Sequence, residues 1–340
     1  MRPGPVLEKL LTSIEPSIRW KTWIGVLSES PDSRRMRRLQ EEIRSSPRAS
    51  ALLGRRNRLG RQGTVRGVYY KWQGCHWALS RLADLGYPAG DASLIPLRDR
   101  TLELWLRPGY FREYTARTFR GAQRGQGVPR IRGRYRRCAS QQGNALSSIV
   151  RLGLDDGRCA QLAERLLHWQ WEDGGWNCDR RPGADTSSFM ETLLPMLGLS
   201  VHGRATGSRP EIQAARAASE VFLRRKLFRR VSDGSVISKD FVRLHYPTYY
   251  HYDVLAGLQG MVEVGRIRDA RCEDALDLLE SKRLPDGGWP AEAKYYRYSP
   301  MAFAASGEYV DWGGTSASRM NPWVTVNALT VFAAAGRLET

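Results

Sequence analysis

Apolar and charged positions along the chain alternate in blocks that predict pairs of helices. Segments such as 158–170 and 272–282 repeat apolar residues at helical spacing and carry charges on the other face, which is typical of solvent-exposed helices. A following segment such as 324–335 is small, apolar and uncharged, and we expect it to be buried on most sides. The pattern therefore predicts an array of helical hairpins, each with an outer helix followed by an inner helix.

The predicted helices fill most of the chain. We place the outer helices near residues 34–53, 97–106, 158–170, 211–227 and 270–282. The inner helices are expected near residues 67–86, 138–153, 186–202, 248–265 and 322–336. Hairpins laid side by side curl when the inner layer is thinner than the outer one. The predicted fold class is therefore all-α, an α/α toroid with inner and outer helices around a central cavity.

A repeated turn supports this two-helix period. The tetrapeptide Asp-Gly-Gly-Trp occurs at 173–176 and again at 286–289, and a weaker copy, Asp-Gly-Ser-Val, lies at 233–236. The copies are spaced by 60 and then 53 residues, which fits one helical hairpin per repeat. Glycine frees the backbone where one helix ends, Asp accepts hydrogen bonds from the freed amides, and Trp fills the gap between hairpins.

The repeat divides the chain into two parts. Residues 1–55 are predicted to form an N-terminal helical segment and the first outer helix, packed on the toroid, with residues 1–33 covering an end or an outer face. Residues 56–340 are predicted to form the toroid itself. The long insert between Trp289 and Asn321 is expected to fold over the cavity as a lid.

The residues around the repeated turns resemble a known family. The run Gln-Trp-Glu-Asp-Gly-Gly-Trp at 170–176 is similar to the QW repeat of squalene and oxidosqualene cyclases, and residues 282–289 are a copy that lacks the Gln. Residues 173–194 also resemble a stretch of protein prenyltransferase β subunits. The likeness covers roughly residues 60–340. It implies an α/α toroid and a terpenoid-cyclase-like enzyme of the cyclase, isomerase or lyase kind, although toroids of this type host several reactions.

Two motifs of that family are altered in this chain. Cyclases that protonate an alkene carry a DxDD acid motif, which is missing here. Prenyltransferases bind zinc through an Asp, a Cys two residues later and a His on a following inner helix. By this resemblance Asp185 matches the Asp and His251 the His, but Ser187 stands where the thiolate belongs. Zinc at this place is therefore disfavoured, and we expect no cofactor.

The densest group of reactive side chains opens the fourth inner helix at residues 245–253. Aromatic faces there would stabilise a cation, and hydroxyl, imidazole and carboxyl groups would transfer protons. The alternative is that the tyrosines fill space where helices splay apart. We expect Asp253 to face an aromatic-lined cavity as a general acid or base, oriented by His251 or His245. The tyrosines expected to contact the substrate are Tyr249, Tyr250 and Tyr252.

Polar residues at the starts of other inner helices complete the predicted cavity. Asp185 suits a helix N-cap as well as a catalytic position. Glu191 lies inside an apolar helix and is expected to pair with an Arg of a neighbouring helix. Cys138 is a possible nucleophile or ligand, although a lone Cys is more often a small core residue. The remaining residues expected to bind substrate are Tyr70, Lys71, Trp72, His76, Arg137, Gln141, Asn144, Ser188, Trp312 and Trp323.

The charge of the chain leaves a different class of function open. Its net charge is +18, with 53 Lys and Arg against 35 Asp and Glu. Arginines concentrate in two Gly-rich segments, 55–66 and 117–137, which we expect to be mobile loops. Such loops are either simply solvated or bind an anionic partner, and both nucleic acid and a membrane surface stay open as partners.

Several classes are excluded by missing motifs. The chain contains no P-loop, GxGxxG, nucleophile elbow or HExxH, which excludes kinases, Rossmann enzymes, α/β hydrolases and zincins. We expect a cytoplasmic protein for three reasons. The N-terminal segment mixes apolar and charged residues, no window of 18 residues is apolar throughout, and the five cysteines are scattered. We expect an enzyme whose acid and base residues act on an isoprenoid or amphiphilic substrate. The alternatives are an (α/α)-barrel enzyme for a polar substrate such as a sugar, and a binding protein for an anionic ligand or nucleic acid.

Overall fold

A computed structural model of the chain describes residues 4–54, 65–302 and 304–338. Helices make up most of the regular structure in these ranges, which confirms the all-α class, and the strands are only two to four residues long. The first eight helices are α1 (Pro5–Leu11), α2 (Pro16–Lys21), α3 (Arg34–Arg44), α4 (Pro47–Leu53), α5 (Val65–Tyr69), α6 (Cys75–Leu85), α7 (Ile95–Trp105) and α8 (Pro108–Phe111). The next eight are α9 (Phe119–Arg124), α10 (Ala139–Arg151), α11 (Cys159–Trp169), α12 (Phe189–Thr206), α13 (Arg209–Leu223), α14 (Val254–Glu263), α15 (Glu273–Glu280) and α16 (Pro322–Ala335).

Short elements connect these helices. A π-helix, Thr22–Val26, continues α2, and 3₁₀ turns lie at Ala92–Leu94, Lys239–Val242 and Ala270–Cys272. The strands are β1 (Glu113–Thr115), β2 (Val128–Ile131), β3 (Arg134–Tyr135), β4 (Arg297–Tyr298) and β5 (Gly307–Glu308). β2 pairs in parallel with β1 and antiparallel with β3, and β4 pairs in parallel with β5.

The inner helices form a closed ring. Helices α6, α10, α12, α14 and α16 pack side by side in that order, and α2 with its π-helical extension fills the place between α16 and α6. The seam is tight, because a Cβ atom on Gly25 would lie 2.4 Å from Oγ1 of Thr330, and one on Gly86 would lie 2.5 Å from the Trp20 ring. Helices α3, α7, α11, α13 and α15 each pack outside the inner element that precedes them. This arrangement is an α/α toroid.

The two Asp-Gly-Gly-Trp turns adopt the same structure. The indole nitrogen of Trp176 donates to the carbonyl of Leu166 at 3.0 Å, and its backbone nitrogen donates to Oγ1 of Thr192 at 3.2 Å. The corresponding bonds in the second copy run from Trp289 to Leu279 at 2.7 Å and to Thr325 at 2.9 Å. Each Trp thus ties the end of an outer helix to the first turn of the next inner helix, which confirms their predicted equivalence.

Local chemistry shifts several predicted helix bounds. The segment predicted as one helix at 34–53 is split, because Ser46 caps α4 by accepting a hydrogen bond from the backbone nitrogen of Ala49. The predicted inner helix at 67–86 is interrupted after Tyr69 by a turn in which Gly74 donates to the carbonyl of Tyr70. The helix predicted at 248–265 begins only at Val254.

Three expectations about the rest of the chain have different outcomes. Residues 1–33 were expected on an end or an outer face, which is wrong for α2 and its extension, since they lie in the inner ring. Segment 117–137 is not simply a loop, because it contains α9, β2 and β3. The Arg-rich segment 55–66 and the proposed boundary between residues 55 and 56 fall largely or wholly outside the described residues.

The insert after Trp289 lies over the N-terminal ends of the inner helices. Trp72 donates its backbone nitrogen to the carbonyl of Gly307 and its indole nitrogen to the carbonyl of Tyr295, both at 2.9 Å. Gln73 bonds the same insert through the carbonyl of Ala302. One end of the ring is therefore covered. None of the helices in the described part of the chain is long and apolar enough to cross a membrane.

Candidate functional site

A cavity of about 330 Å³ lies inside the ring and is lined by all six inner elements. One part of its wall is polar and contains Ser80, Arg81, Asp84, Asn144, Asn327 and Thr330. Another part is apolar and contains Leu193, Leu194, Leu197, Ala256 and Val262. The cavity wall therefore combines polar and apolar side chains, as the binding of an amphiphilic molecule requires.

Positive side chains outnumber negative ones in this cavity wall. Lys21 lies 2.6 Å from Asp84, and Arg151 lies 2.7 Å from Glu263, so these four charges form two pairs. Arg81 is the additional cation of the wall: it donates to the already paired Asp84 at 3.5 Å and to Ser80 at 3.1 Å, and it interacts electrostatically with the buried Glu308. The Arg81 side chain is buried, and its Nε has no hydrogen-bond partner. A buried cation with spare donor capacity favours the binding of an anion.

Asp84 also orients a tyrosine at the cavity wall. The hydroxyl of Tyr246 donates to Oδ2 of Asp84 at 2.5 Å. Burial acts to raise the pKa of Asp84, but the charges of Lys21 and Arg81 outweigh it and lower that pKa to about 2. Burial and the negative charge of Asp84 raise the pKa of Tyr246 well above its usual value. At neutral pH the pair is therefore a carboxylate and a protonated phenol.

His76 lies behind the polar wall rather than in the cavity. Its Nδ1 accepts from the indole nitrogen of Trp105 at 3.2 Å, and its Nε2 lies 2.8 Å from the side-chain amide of Asn144. Burial lowers the pKa of His76 to about 3, so the ring is neutral. His76, predicted to contact a substrate, is therefore not part of this cavity wall, whereas Asn144 lines the cavity and also bonds Ser80 at 3.0 Å.

Aromatic rings fill the covered end of the ring by packing on one another. Trp72 stacks on Tyr249 with ring centroids 3.8 Å apart, and His251 stacks on Tyr295 at 4.0 Å. Lys71 donates to the hydroxyl of Tyr250 at 2.5 Å. The hydroxyl of Tyr249 donates to Glu308, a buried carboxylate of the insert, at 2.6 Å. Of these rings, that of Tyr249 also borders the cavity.

Asp253 does not face the cavity as predicted. It has no exposed surface, and its Oδ1 caps α14 by accepting from the backbone nitrogen of Ala256 at 2.7 Å. Its Oδ2 accepts from the backbone nitrogen of His245 at 2.9 Å and lies 2.9 Å from Nδ1 of the same residue. The physical reason is the local fold: residues 245–253 turn back on themselves, so His245 rather than His251 meets the carboxylate.

The remaining predicted residues are spread over the ring. Tyr252 donates to the carbonyl of Leu227 and packs among phenylalanines, which is a core position. Trp312 and Trp323 are buried, and Trp323 stacks on Tyr246 with centroids 5.0 Å apart. Tyr70 is half-buried next to the turn before α6. Both Trp312 and Trp323 contact the ring of Tyr246, which belongs to the cavity wall.

 The two tryptophans therefore support the cavity wall through Tyr246. Trp312 approaches that ring edge-on, with centroids 5.6 Å apart.

A separate polar group lies at the N-terminal ends of α10 and α12. Glu191 was expected to pair with an Arg, but its Oε2 accepts from the backbone nitrogen of Ser140 at 3.1 Å. Arg137 is buried and its guanidinium lies over the rings of Tyr110 and Trp169. Gln141 forms a side-chain hydrogen bond with Tyr69. Together with Cys138 these residues form a second site, distinct from the cavity wall.

The zinc ligands suggested by the family resemblance do not fit the structure. Asp185 is exposed, and it does not cap α12, because that position is held by Ser188. The hydroxyl of Ser187 donates to Asp173 of the first repeated turn at 2.6 Å. His251 packs between aromatic rings at the covered end. Ser187 and His251 therefore have structural partners of their own, and neither Asp185 nor His251 belongs to a group of close metal-ligand atoms in the described part of the chain.

Sequence reasoning missed the main charged residues of the cavity. The residues predicted for the cavity lie mostly at the starts of inner helices. They do not include Lys21, Arg81, Asp84 or Tyr246. A signal was present, since Arg81 and Asp84 interrupt an otherwise apolar inner helix and lie three residues apart. Charged residues on a helix that is buried on most sides need a functional or structural reason.

Comparisons with known proteins give distant structural matches. No protein-family model matches the chain, and no curated protein matches it. A solved structure of the type II terpene cyclase MstE from Scytonema, in complex with geranylgeranyl dihydroxybenzoate, is similar at 14% identity and a TM-score of 0.41, covering 95% of this chain and 88% of that one. A second MstE structure, in complex with merosterolic acid A, has 14% identity and a TM-score of 0.40, covering 98% and 99%. Overlaps of this size give no information on ligand or chemistry.

Proposed function

We propose that the chain is an enzyme that binds a small amphiphilic anion in its central cavity. The observation that carries the proposal is Arg81, a buried cation at the cavity wall whose nearest carboxylate, Asp84, is already paired with Lys21. Buried charges require partners, and a guanidinium binds carboxylates and phosphates through parallel hydrogen bonds. The anionic head group of the ligand therefore binds at Arg81.

The size and the wall of the cavity define the rest of the ligand. A volume of about 330 Å³ is at the lower end of small-molecule sites, which favours a short chain over a long polyisoprenoid. Leu193, Leu194 and Leu197 offer an apolar surface for an alkyl group. A pure hydrocarbon would give the unpaired Nε of Arg81 no partner. A short isoprenoid diphosphate or a branched-chain acid satisfies both surfaces.

Tyr246 is the proposed acid–base group. Its hydroxyl is fixed by Asp84, and its raised pKa keeps it protonated at neutral pH. It would donate its proton to a ligand whose head group is held at Arg81 once its hydrogen bond turns from Asp84 to that ligand, and Arg81, whose charge lowers the pKa of Tyr246, would stabilise the phenolate that results. This assignment replaces Asp253, whose two oxygens are occupied by a helix cap and by His245.

Binding is tested with matched ligands and a matched arginine control. Calorimetry measures binding of three ligands. Dimethylallyl diphosphate and its neutral alcohol share the alkyl group and differ in charge, whereas gluconate is an anion that carries hydroxyl groups instead of an alkyl group. Arg81→Gln should weaken binding of the diphosphate at least tenfold, whereas Arg181→Gln, which changes an exposed arginine, should leave it unchanged. Equal binding of alcohol and diphosphate, or no effect of Arg81→Gln, would refute the anion site. Tighter binding of gluconate would support the alternative of a sugar-like substrate.

Turnover is tested separately from binding. Products of dimethylallyl diphosphate and of branched-chain acids are sought by mass spectrometry after incubation with the native chain. Tyr246→Phe should retain ligand affinity and lose roughly a hundredfold or more in rate. Binding without any turnover would contradict the enzymatic part of the proposal and favour a binding protein.

A further inference from the structure

Two thiols and a carboxylate converge outside the central cavity. The Sγ atoms of Cys138 and Cys178 and a carboxylate oxygen of Glu191 all lie within 4.8 Å of one another. In the described ranges, 4–54, 65–302 and 304–338, this is the only group of three or more His, Cys, Asp or Glu ligand atoms that close together. We infer that these three side chains bind one Zn²⁺ ion, at a site that does not depend on the cavity ligand.

Backbone pairing places the two thiols next to each other. Arg136 and Asn177 form an isolated parallel β-bridge, and the backbone nitrogen of Arg137 donates to the carbonyl of Asn177 at 3.1 Å. Each cysteine follows this paired segment directly, Cys138 before α10 and Cys178 after the first repeated turn. The two thiols are thus held together by main-chain hydrogen bonds, although they are 40 positions apart in the sequence.

The carboxylate is held in place by the neighbouring helix. Oε2 of Glu191 accepts from the backbone nitrogen of Ser140 in the first turn of α10 at 3.1 Å. Helices α10 and α12 themselves are in close contact, since a Cβ atom on Gly143 would lie 2.3 Å from the backbone nitrogen of Pro195. The three ligands therefore lie on elements with a fixed separation. Such preorganisation is what a metal site requires of its scaffold.

The donor set selects the metal. Thiolates are soft ligands that favour Zn²⁺ over Mg²⁺ or Ca²⁺, and carboxylate oxygen is an accepted third ligand. Three protein ligands leave a fourth tetrahedral position for water or a substrate. The residues are only partly exposed, and burial raises the pKa of Glu191, so this position is largely shielded from bulk solvent. Two thiolates and one carboxylate outweigh the charge of one Zn²⁺, and Arg137 and Arg180 interact electrostatically with Cys138 to offset the excess.

This site differs from the one that the family resemblance suggested. That resemblance points to Asp185, which is exposed, and to Ser187 and His251, which have other partners in the structure. The alternative for two adjacent thiols is a disulfide between Cys138 and Cys178. A disulfide would remove both thiolates, so the two possibilities give opposite results for bound zinc.

The metal content of the intact chain decides between them. Protein produced in zinc-supplemented medium and purified with a reductant and without a chelator should contain about one zinc per chain by plasma mass spectrometry. Cys138→Ser and Cys178→Ser should each lower the zinc content at least tenfold. Cys272→Ala changes a buried thiol at a different place, at the start of α15, and should keep the zinc content of the native chain.

A second measurement keeps the inference testable if a variant fails to fold. The native chain, stripped of metal under reducing conditions, is titrated with Co²⁺, and the expected result is the charge-transfer absorption of a cobalt–thiolate complex with a tetrahedral d–d spectrum. Glu191→Gln should retain the thiolate band and weaken Co²⁺ binding about tenfold or more. Native protein without zinc and without a cobalt spectrum would overturn the inference, and so would isolation of a Cys138–Cys178 disulfide as the main form under reductant.

Discussion

Replacing Asp253 with Asn tests whether this buried carboxylate stabilises the fold through His245. Asp253 accepts one hydrogen bond from the backbone nitrogen of Ala256, at 2.7 Å, and a second from that of His245, at 2.9 Å. Its Oδ2 also lies 2.9 Å from Nδ1 of His245, and neither side chain has exposed surface. Asn keeps the cap on α14, since Asn and Asp are comparable N-cap residues. The substitution puts an NH₂ group in the place of Oδ2. This group then faces the backbone nitrogen and Nδ1 of His245, which are themselves hydrogen-bond donors.

The expected cost follows from this geometry. Removing one partner of a buried ion pair leaves the other charge uncompensated, which costs about 3–5 kcal/mol of the free energy of unfolding. Burial acts to lower the pKa of His245, but Asp253 outweighs it and the pKa is raised. The stabilisation by this pair is thus fully present below the unfolded pKa of about 6.5 and is lost as the pH rises through the folded pKa. The difference between native and variant proteins should be largest near pH 6 and smaller at alkaline pH.

Urea unfolding followed by tryptophan fluorescence and circular dichroism measures this difference, and coincident transitions show that one free energy describes it. Asp286→Asn is the control, because Asp286 is exposed and bonds only the backbone of Gly288 in the second repeated turn. Its effect should stay within about 0.5 kcal/mol. A loss of under about 1 kcal/mol for Asp253→Asn at pH 6 would refute the ion-pair reasoning. A loss that does not change with pH would show that His245 is not the charged partner.

Three further outcomes are expected. Gly143→Ala should lower the free energy of unfolding by about 1–3 kcal/mol in urea, because its Cβ would meet the backbone of Pro195, whereas Gly183→Ala, with open space around it, should stay near native stability. Asp84 has a pKa of about 2 in the folded chain and about 4 in the unfolded chain, so its stabilisation is present above pH 4 and is lost as the pH falls through 2. Asp84→Asn should therefore make the free energy of unfolding, followed by circular dichroism, less sensitive to acid. Trp289→Phe should cost about 1 kcal/mol for the lost bond to Leu279, in addition to lost packing, measured in urea.

Helix pairs and their turns could be predicted from the sequence because both depend on local signals. Apolar spacing marked the outer helices, and the Asp-Gly-Gly-Trp tetrapeptide marked the points where an outer helix ends. The role of Trp176 was predictable too, since a large ring beside two glycines has to fill the gap between hairpins. The position of α2 in the inner ring was not predictable. Nothing in residues 16–26 distinguishes a helix that covers the end of a ring from a helix that forms part of it.

The residues that line the cavity were predicted less well, for a physical reason. Helix starts attract Asp, Ser and Tyr for capping and packing, and Asp253 proved to be such a cap. Two charged residues of the cavity wall, Arg81 and Asp84, instead lie inside α6. In the sequence they are recognisable only as unusual charges in an apolar helix. The pairing of Cys138 with Cys178 depends on a β-bridge between irregular segments, and no spacing rule predicts that contact.

The seam between α16 and the extension of α2 has a consequence for the order in which the chain assembles. Gly25 and Thr330 meet at this seam although they are 305 positions apart in the sequence, so one side of the contact is synthesised long before the other. Hairpins in between have their partners nearby in sequence and can form as they emerge, whereas the last interface has to wait for the final inner helix. Until then the ring is an open arc with an uncovered apolar edge on both sides. The N-terminal helices must remain available throughout that period, which makes this seam the step at which a chaperone or a second copy of the chain would compete with correct closure.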